Sequence, residues 1–195
     1  TGIFIGDVSG HGVPAALITS MIKNSIQESK RYHSDPSMLL LHLNQVLSNQ
    51  TEEMFVTAFY GVYNAEERSI IYSNAGHHPP AIILKETITT LGKSRSIPLA
   101  IMENLELIEA GKAYTNSKSI LPVNSKILFY TDGLVEAKKI RDRDIDFSEG
   151  IEKRLIELKN LKSKKFTETL FADLIKFHGS ESFDDDICII CMDIL

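Results

Sequence analysis

Three aspartates stand where apolar runs meet turns: Asp7 after "IFIG", Asp132 after "ILFYT", and Asp185 in "FDDDICII" ahead of the last apolar run. A buried carboxylate is costly unless it is paired or holds a cation. One Asp beside a glycine reads as a turn residue, and each of these, taken alone, reads that way. Three such acids at strand ends in one chain point to an all-oxygen site for a hard divalent cation, Mg2+ or Mn2+. No His/Cys cluster with zinc spacing competes. Beside Asp7, the turn through Ser9, Gly10, His11 and Gly12 lets backbone groups come close to a ligand. The helix start that follows favours anions. A cation beside such a turn suits phosphate-ester hydrolysis by activated water, which needs no protein nucleophile.

Other chemistries fail on spacing. "GDVSGHG" is neither a P-loop nor a dinucleotide fingerprint. No G-x-S-x-G elbow occurs, and "DVS" lacks the second Asp of a phospho-aspartyl hydrolase. With 195 residues, 43% of them hydrophobic, the chain is expected to form one domain with a real core. A net charge of −5 and the lack of a Lys/Arg tract weigh against nucleic acid. No apolar run reaches the ~20 residues of a membrane span and no signal peptide is visible, so a cytoplasmic setting is expected. Cys188 and Cys191 form C-x-x-C in an apolar strand. They point to opposite faces there, and read as small buried residues in a reducing compartment.

The elements that must position these acids follow from periodicity. After the first strand, Pro14 opens a helix carrying Ile18, Met21, Ile22 and Ile26, running to about Tyr32. Asp35 and Pro36 serve as N-cap and first residue of a second helix striped with Leu39, Leu43, Val46 and Leu47. "MFVTAFYGVYN", "RSIIYSN", "PPAIIL", "TITTL", "LELIEAGKAYT" and "SKILFYTDG" read as strands of an antiparallel meander. Helices are expected from Ser148 to about Lys159 and from Lys165 to about His178, then a final strand. The charge-rich "KKIRDRDID" reads as a solvated loop. Segregated helices and strands argue for α+β, as a four-layer αββα sandwich of two antiparallel sheets flanked by helix pairs.

"GDVSGHGVPAAL", "TAFYGVY", "NAGHHPP", "LFYTDGLVEA" and "FDDDICII" occur in the order and approximate spacing of the PPM-type metal-dependent serine/threonine phosphatases. The chain most resembles their bacterial SpoIIE/RsbU branch, from Ile3 to the C-terminus. The resemblance implies two Mn2+ or Mg2+ ions. Asp7 would bridge them, the backbone carbonyl of Val8 would be a further ligand, and Asp132 and Asp185 would hold the first ion. Asp186 substitutes if the register of "DDD" is off by one. Ser9, Gly10, His11 and His77 would lie near the phosphate, His11 foremost as a turn or bracing residue and otherwise as a proton donor. His78 is expected to be simply exposed; Glu136 reads equally as a water-orienting acid or a solvated one.

The implied substrate is a phosphoserine or phosphothreonine on a partner protein such as an anti-sigma-factor antagonist. An upstream sensor domain and a homodimer also fit. The Gly-Gly-Asp hairpin of the resembled branch is not in the sequence, so the domain reads as partial at its N-terminus, short of its first strands and an acid ligand. Ala100 stands where a glycine is common, and "LPVNS" where Pro-Gly-Asp is frequent. A catalytically impaired module that binds a signalling partner is the competing reading. In that branch the helices at 13–32 and 36–50 would act as a switch; a rigid helical layer explains them as well.

Overall fold

The structure, a computed structural model, describes residues 1–51, 54–92, 96–140 and 142–195, with backbone only at 142 and 143. In chain order the elements are β1 (Gly2–Val8), α1 (Val13–Glu28), a 3-10 turn (Lys30–Tyr32), α2 (Pro36–Leu47), β2 (Val56–Asn64) and β3 (Ser69–Ala75). Next come β4 (Ala81–Ile83), β5 (Ile88–Thr90), α3 (Asn104–Glu109), β6 (Ser117–Ile120), β7 (Lys126–Tyr130) and α4 (Asp132–Val135). The chain closes with β8 (Lys138–Lys139), β9 (Asp142–Asp146), α5 (Ile151–Leu158), α6 (Ser163–His178) and β10 (Ile189–Asp193). They form two compact units, one of Thr1–His77 with Gly92–Ile120, the other of His78–Leu91 with Leu121–Leu195.

The first unit holds an antiparallel sheet in the order β1-β2-β3-β6. Alternation along β2 sends Val56, Ala58 and Tyr60 into a core with Ile18 and Ile22 of α1 and Leu39, Leu40, Leu43 and Leu47 of α2. On the opposite face Phe59 stacks on Tyr72, centroids 5.5 Å apart. Asp35 caps α2 as expected, accepting from the Met38 N–H and the Ser37 hydroxyl. The fully buried Asn44 joins α2 to the 100–104 loop. Its amide donates to Met102 O (2.9 Å) and Asn104 Oδ1 (2.8 Å), and its Oδ1 accepts from the Ala100 N–H (2.8 Å).

The second unit holds a sheet in the order β10-β7-β4-β5 and the β8–β9 hairpin. Ala81, Ile83 and Leu128 from the sheet meet Leu155 and Leu158 of α5 and Phe166, Leu170 and Leu174 of α6. The α+β class, the two antiparallel sheets and their helices are as the sequence implies.

Several local readings need correction. "LELIEAGKAYT" is not a strand: its first half is α3, started by a capping box in which Glu103 and Glu106 exchange hydrogen bonds with each other's backbone N–H. The strand of that region is β6, further on. α1 begins at Val13, so Pro14 is its second residue, and it stops at Glu28. α5 begins at Ile151, behind Gly150 in the left-handed region, rather than at Ser148. The stretch expected as a loop at 138–146 contains the β8–β9 hairpin, Arg141 lying outside the described residues. Cys188 is exposed rather than buried; Cys191 is half-buried, and desolvation pushes its thiol up.

Candidate functional site

In the second unit, β7 lies between β4 and β10 and ends at Tyr130, leading into Thr131-Asp132-Gly133. Two registers deliver neighbours to that junction. Ala81 pairs Leu128 antiparallel, so the chain ahead of β4, with His78, runs alongside the chain beyond β7. Ile189 pairs Tyr130, so the chain ahead of β10, with its acidic run, arrives from the other side. The Thr131 hydroxyl donates to the Asp186 carbonyl (3.1 Å) and accepts from the Cys188 N–H (2.9 Å), while the Thr131 N–H donates to the Cys188 carbonyl (3.2 Å). Next door, a Cβ on Gly133 would lie 2.5 Å from the Asp186 oxygen. Glycine is required there for space, not for a special dihedral angle.

Asp132 opens α4 half-buried, and its Oδ1 accepts from the Gly133 N–H (3.0 Å). One turn later Glu136 caps the same helix, its N–H donating to the Asp132 carbonyl (2.8 Å). A nitrogen of His78 and carboxylate oxygens of Asp132 and Glu136 all lie within 4.8 Å of one another. The half-buried His78 ring stacks on Tyr130, centroids 5.9 Å apart, and burial pushes the Tyr130 phenol up. The expectation that His78 is merely exposed is thus corrected. Exposed Asp185 turns one oxygen onto the Asp186 N–H (2.8 Å) and lines, with Gly133, Glu136, His178 and Asp184, a cavity of about 260 Å³. Two carboxylates and an imidazole so gathered, with further acids beside them, could hold a divalent cation.

The other expected site residues belong to the first unit. Asp7, half-buried near the end of β1, faces Thr57 across the β1–β2 ladder. The Thr57 hydroxyl is 2.9 Å from Nδ1 of the buried His77, whose N–H and C=O are both held by the Asn74 amide. Thr57 thus hydrogen-bonds His77 and is the register partner of Asp7. Val8 closes the strand. Ser9 extends the ladder instead of facing outward: its hydroxyl accepts from the Phe55 N–H (2.8 Å) and its N–H donates to the Phe55 carbonyl (2.9 Å). Gly10 and Gly12 sit at φ 95° and 81°, values that only glycine adopts at low cost. His11 between them is exposed. Gly12 is the N-cap of α1 and supplies no side-chain acceptor to its first N–H groups.

Sequence reasoning missed Thr131 and undervalued His78. Thr131 precedes a recognised acid, and its three bonds depend on β10 arriving antiparallel. A signal for His78 existed in its distance from β4, which equals the distance of Thr131 from the middle of β7, but only the register makes it usable.

The family model for stage II sporulation protein E (SpoIIE) matches residues 1–195. Among curated relatives, the chain is 26% identical over 187 residues to the phosphoserine phosphatase RsbU of Bacillus subtilis, covering 94% of this chain and 52% of RsbU. It is 31% identical over 141 residues to phosphoserine phosphatase RsbP of the same organism, covering 69% of this chain and 33% of RsbP. The chain thus spans about half or less of the length of these relatives. The SiaA-PP2C domain of Pseudomonas aeruginosa superimposes with a TM-score of 0.82 at 19% identity, covering 98% of this chain and 75% of that one. The catalytic domain of the serine/threonine phosphatase PstP, solved with two manganese ions, gives 0.66 at 10% identity, covering 100% and 87%. With the family model matching from end to end and PP2C domains sharing its fold, the chain belongs to the SpoIIE family.

Proposed function

We propose that the chain is a single phosphatase domain that hydrolyses phosphoserine or phosphothreonine on a regulatory partner protein, an anti-sigma-factor antagonist being the favoured class, with Mn2+ or Mg2+ as cofactor. The observation that carries the reading is the clamp that fastens the Asp184–Asp186 run beside Asp132 through Thr131 and Gly133. The matching of relatives named phosphoserine phosphatases supports the reaction class, and the manganese-bound PstP supports the cofactor.

In this reading Asp7 would be shared by two ions with the Val8 carbonyl as a further ligand, and Asp132 and Asp185 would hold the first, Asp186 replacing Asp185 if the acidic run is shifted by one. Bound there, the ions supply charge to phosphoryl oxygens and acidify water. The first-turn N–H groups of α1 behind Gly12 offer donors to phosphate oxygens. Thr57 and Asn74 hold His77, which in this reading would stand at the rim of the site, and exposed His11 would serve the turn.

A phosphoserine peptide is the substrate for the test, with Mn2+, Mg2+ or EDTA present. Turnover should need a cation and fall to background in Asp132→Asn. Comparing Asp185→Asn with Asp186→Asn assigns the register. Cation-independent turnover, or full activity in Asp132→Asn, refutes the proposal; binding of a signalling partner without turnover favours the impaired module.

A further inference from the structure

We infer that His78 is a nitrogen ligand which, with Asp132 and Glu136, makes one cation position a mixed nitrogen–oxygen site selective for first-row transition ions over Mg2+. The inference rests on the proposed function only in taking Asp132 as a cation ligand. The three side chains come from two places in the second unit, the loop ahead of β4 and the two ends of α4, and the β4–β7 register joins them. Their ligand atoms lie within 4.8 Å of one another. At bond lengths of ~2.1 Å, donors opposite each other on a cation are ~4.2 Å apart and adjacent ones ~3 Å. The present separations close onto a shared ion with side-chain shifts below ~1 Å.

Each side chain is aimed by its surroundings. Stacking on Tyr130 limits the tilt of the His78 ring. Asp132 and Glu136 are four residues apart across one helical turn, so both lie on one side of α4. Glu136 also borders the cavity that Asp185 lines, which makes the trio continuous with the acidic run.

The consequence is chemical selectivity. Carboxylates and water suit Mg2+ and Mn2+ alike, whereas imidazole adds affinity along the series towards Co2+ and Zn2+ and little for Mg2+. His78→Asn would remove the imidazole and leave the oxygen donors of Asp132 and Glu136 in place.

Pulsed EPR of Mn2+ bound to the chain is the direct test, because it detects a coordinated 14N nucleus whether or not the protein turns over substrate. An imidazole coupling is expected in the unaltered chain and should vanish in His78→Asn. In calorimetry, His78→Asn should weaken Co2+ binding about ten-fold or more and change Mg2+ binding by less than about two-fold. Absence of the nitrogen coupling, its survival in His78→Asn, or an equal loss for both ions overturns the inference. A nitrogen-coupled ion in a chain that fails to hydrolyse the phosphopeptide leaves the inference standing and sinks the proposed function alone.

Discussion

Gly133→Ala tests whether the approach of two chain segments builds the site. The added Cβ would sit 2.5 Å from the Asp186 oxygen and 3.2 Å from its carbonyl carbon, where ordinary contact begins near 3.4 Å. Relief therefore requires a displacement of ~0.9 Å, and the atom in the way is backbone rather than the tip of a flexible side chain. That carbonyl is also the acceptor for the Thr131 hydroxyl, so moving it stretches the bond that fixes the acidic run. Overpacking of this kind costs about 1–3 kcal/mol. A misplacement of ~1 Å at a ligand set lowers activity about 100-fold. Urea denaturation should show a lower midpoint with an unchanged slope, and calorimetry a weakened Mn2+ isotherm. A variant with the parent midpoint, or one destabilised but with parent Mn2+ affinity, refutes the link between this contact and the site.

Asn44→Ala should cost about 3 kcal/mol in urea denaturation, because three short hydrogen bonds end in a fully buried site and their partners are left unpaired. Ala100→Gly should stabilise the chain by about 0.5–1 kcal/mol. The φ of 69° penalises alanine by ~1–2 kcal/mol, and the extra unfolded-state freedom of glycine returns part of that gain. Hydrogen bonds from the Asn116 amide, then Ser37 and the Met38 N–H, hold the Asp35 carboxyl below its ordinary value of 3.8 against the opposing effect of burial. Its contribution is therefore complete above that value and is lost as pH falls through the lower folded one. Asp35→Ala should remove about 1 kcal/mol at neutral pH and flatten that segment of the stability–pH curve.

Much of the fold was legible because one period governed each segment. α2 announced itself through Asp35-Pro36 and its leucine stripe, and β2 and β3 through their β-branched and aromatic runs. α3 misled because Leu105-Glu106-Leu107 alternates like a strand; the contrary signal, Glu103 and Glu106 three apart, was present but weak in a six-residue helix. The acids were legible as strand-end residues, since Asp7 and Asp132 sit where β1 and β7 finish. The setting of Asp132 was not, because the neighbours of that junction come from the pairing of β7 with β4 and β10, a long-range property. Ala100 shows the reverse case: an alanine at a position where glycine is common turned out to occupy a left-handed backbone angle.

The Thr131 hydroxyl gives one proton and takes another, and carries no charge in either role. Its grip on the strand leading from the acidic run therefore does not depend on charge. Collecting like-charged oxygens in one place is electrostatically uphill, and here a neutral tether and a strand ladder bear that cost. If the proposed ion binds there, it spends little of its binding energy on bringing these acids together.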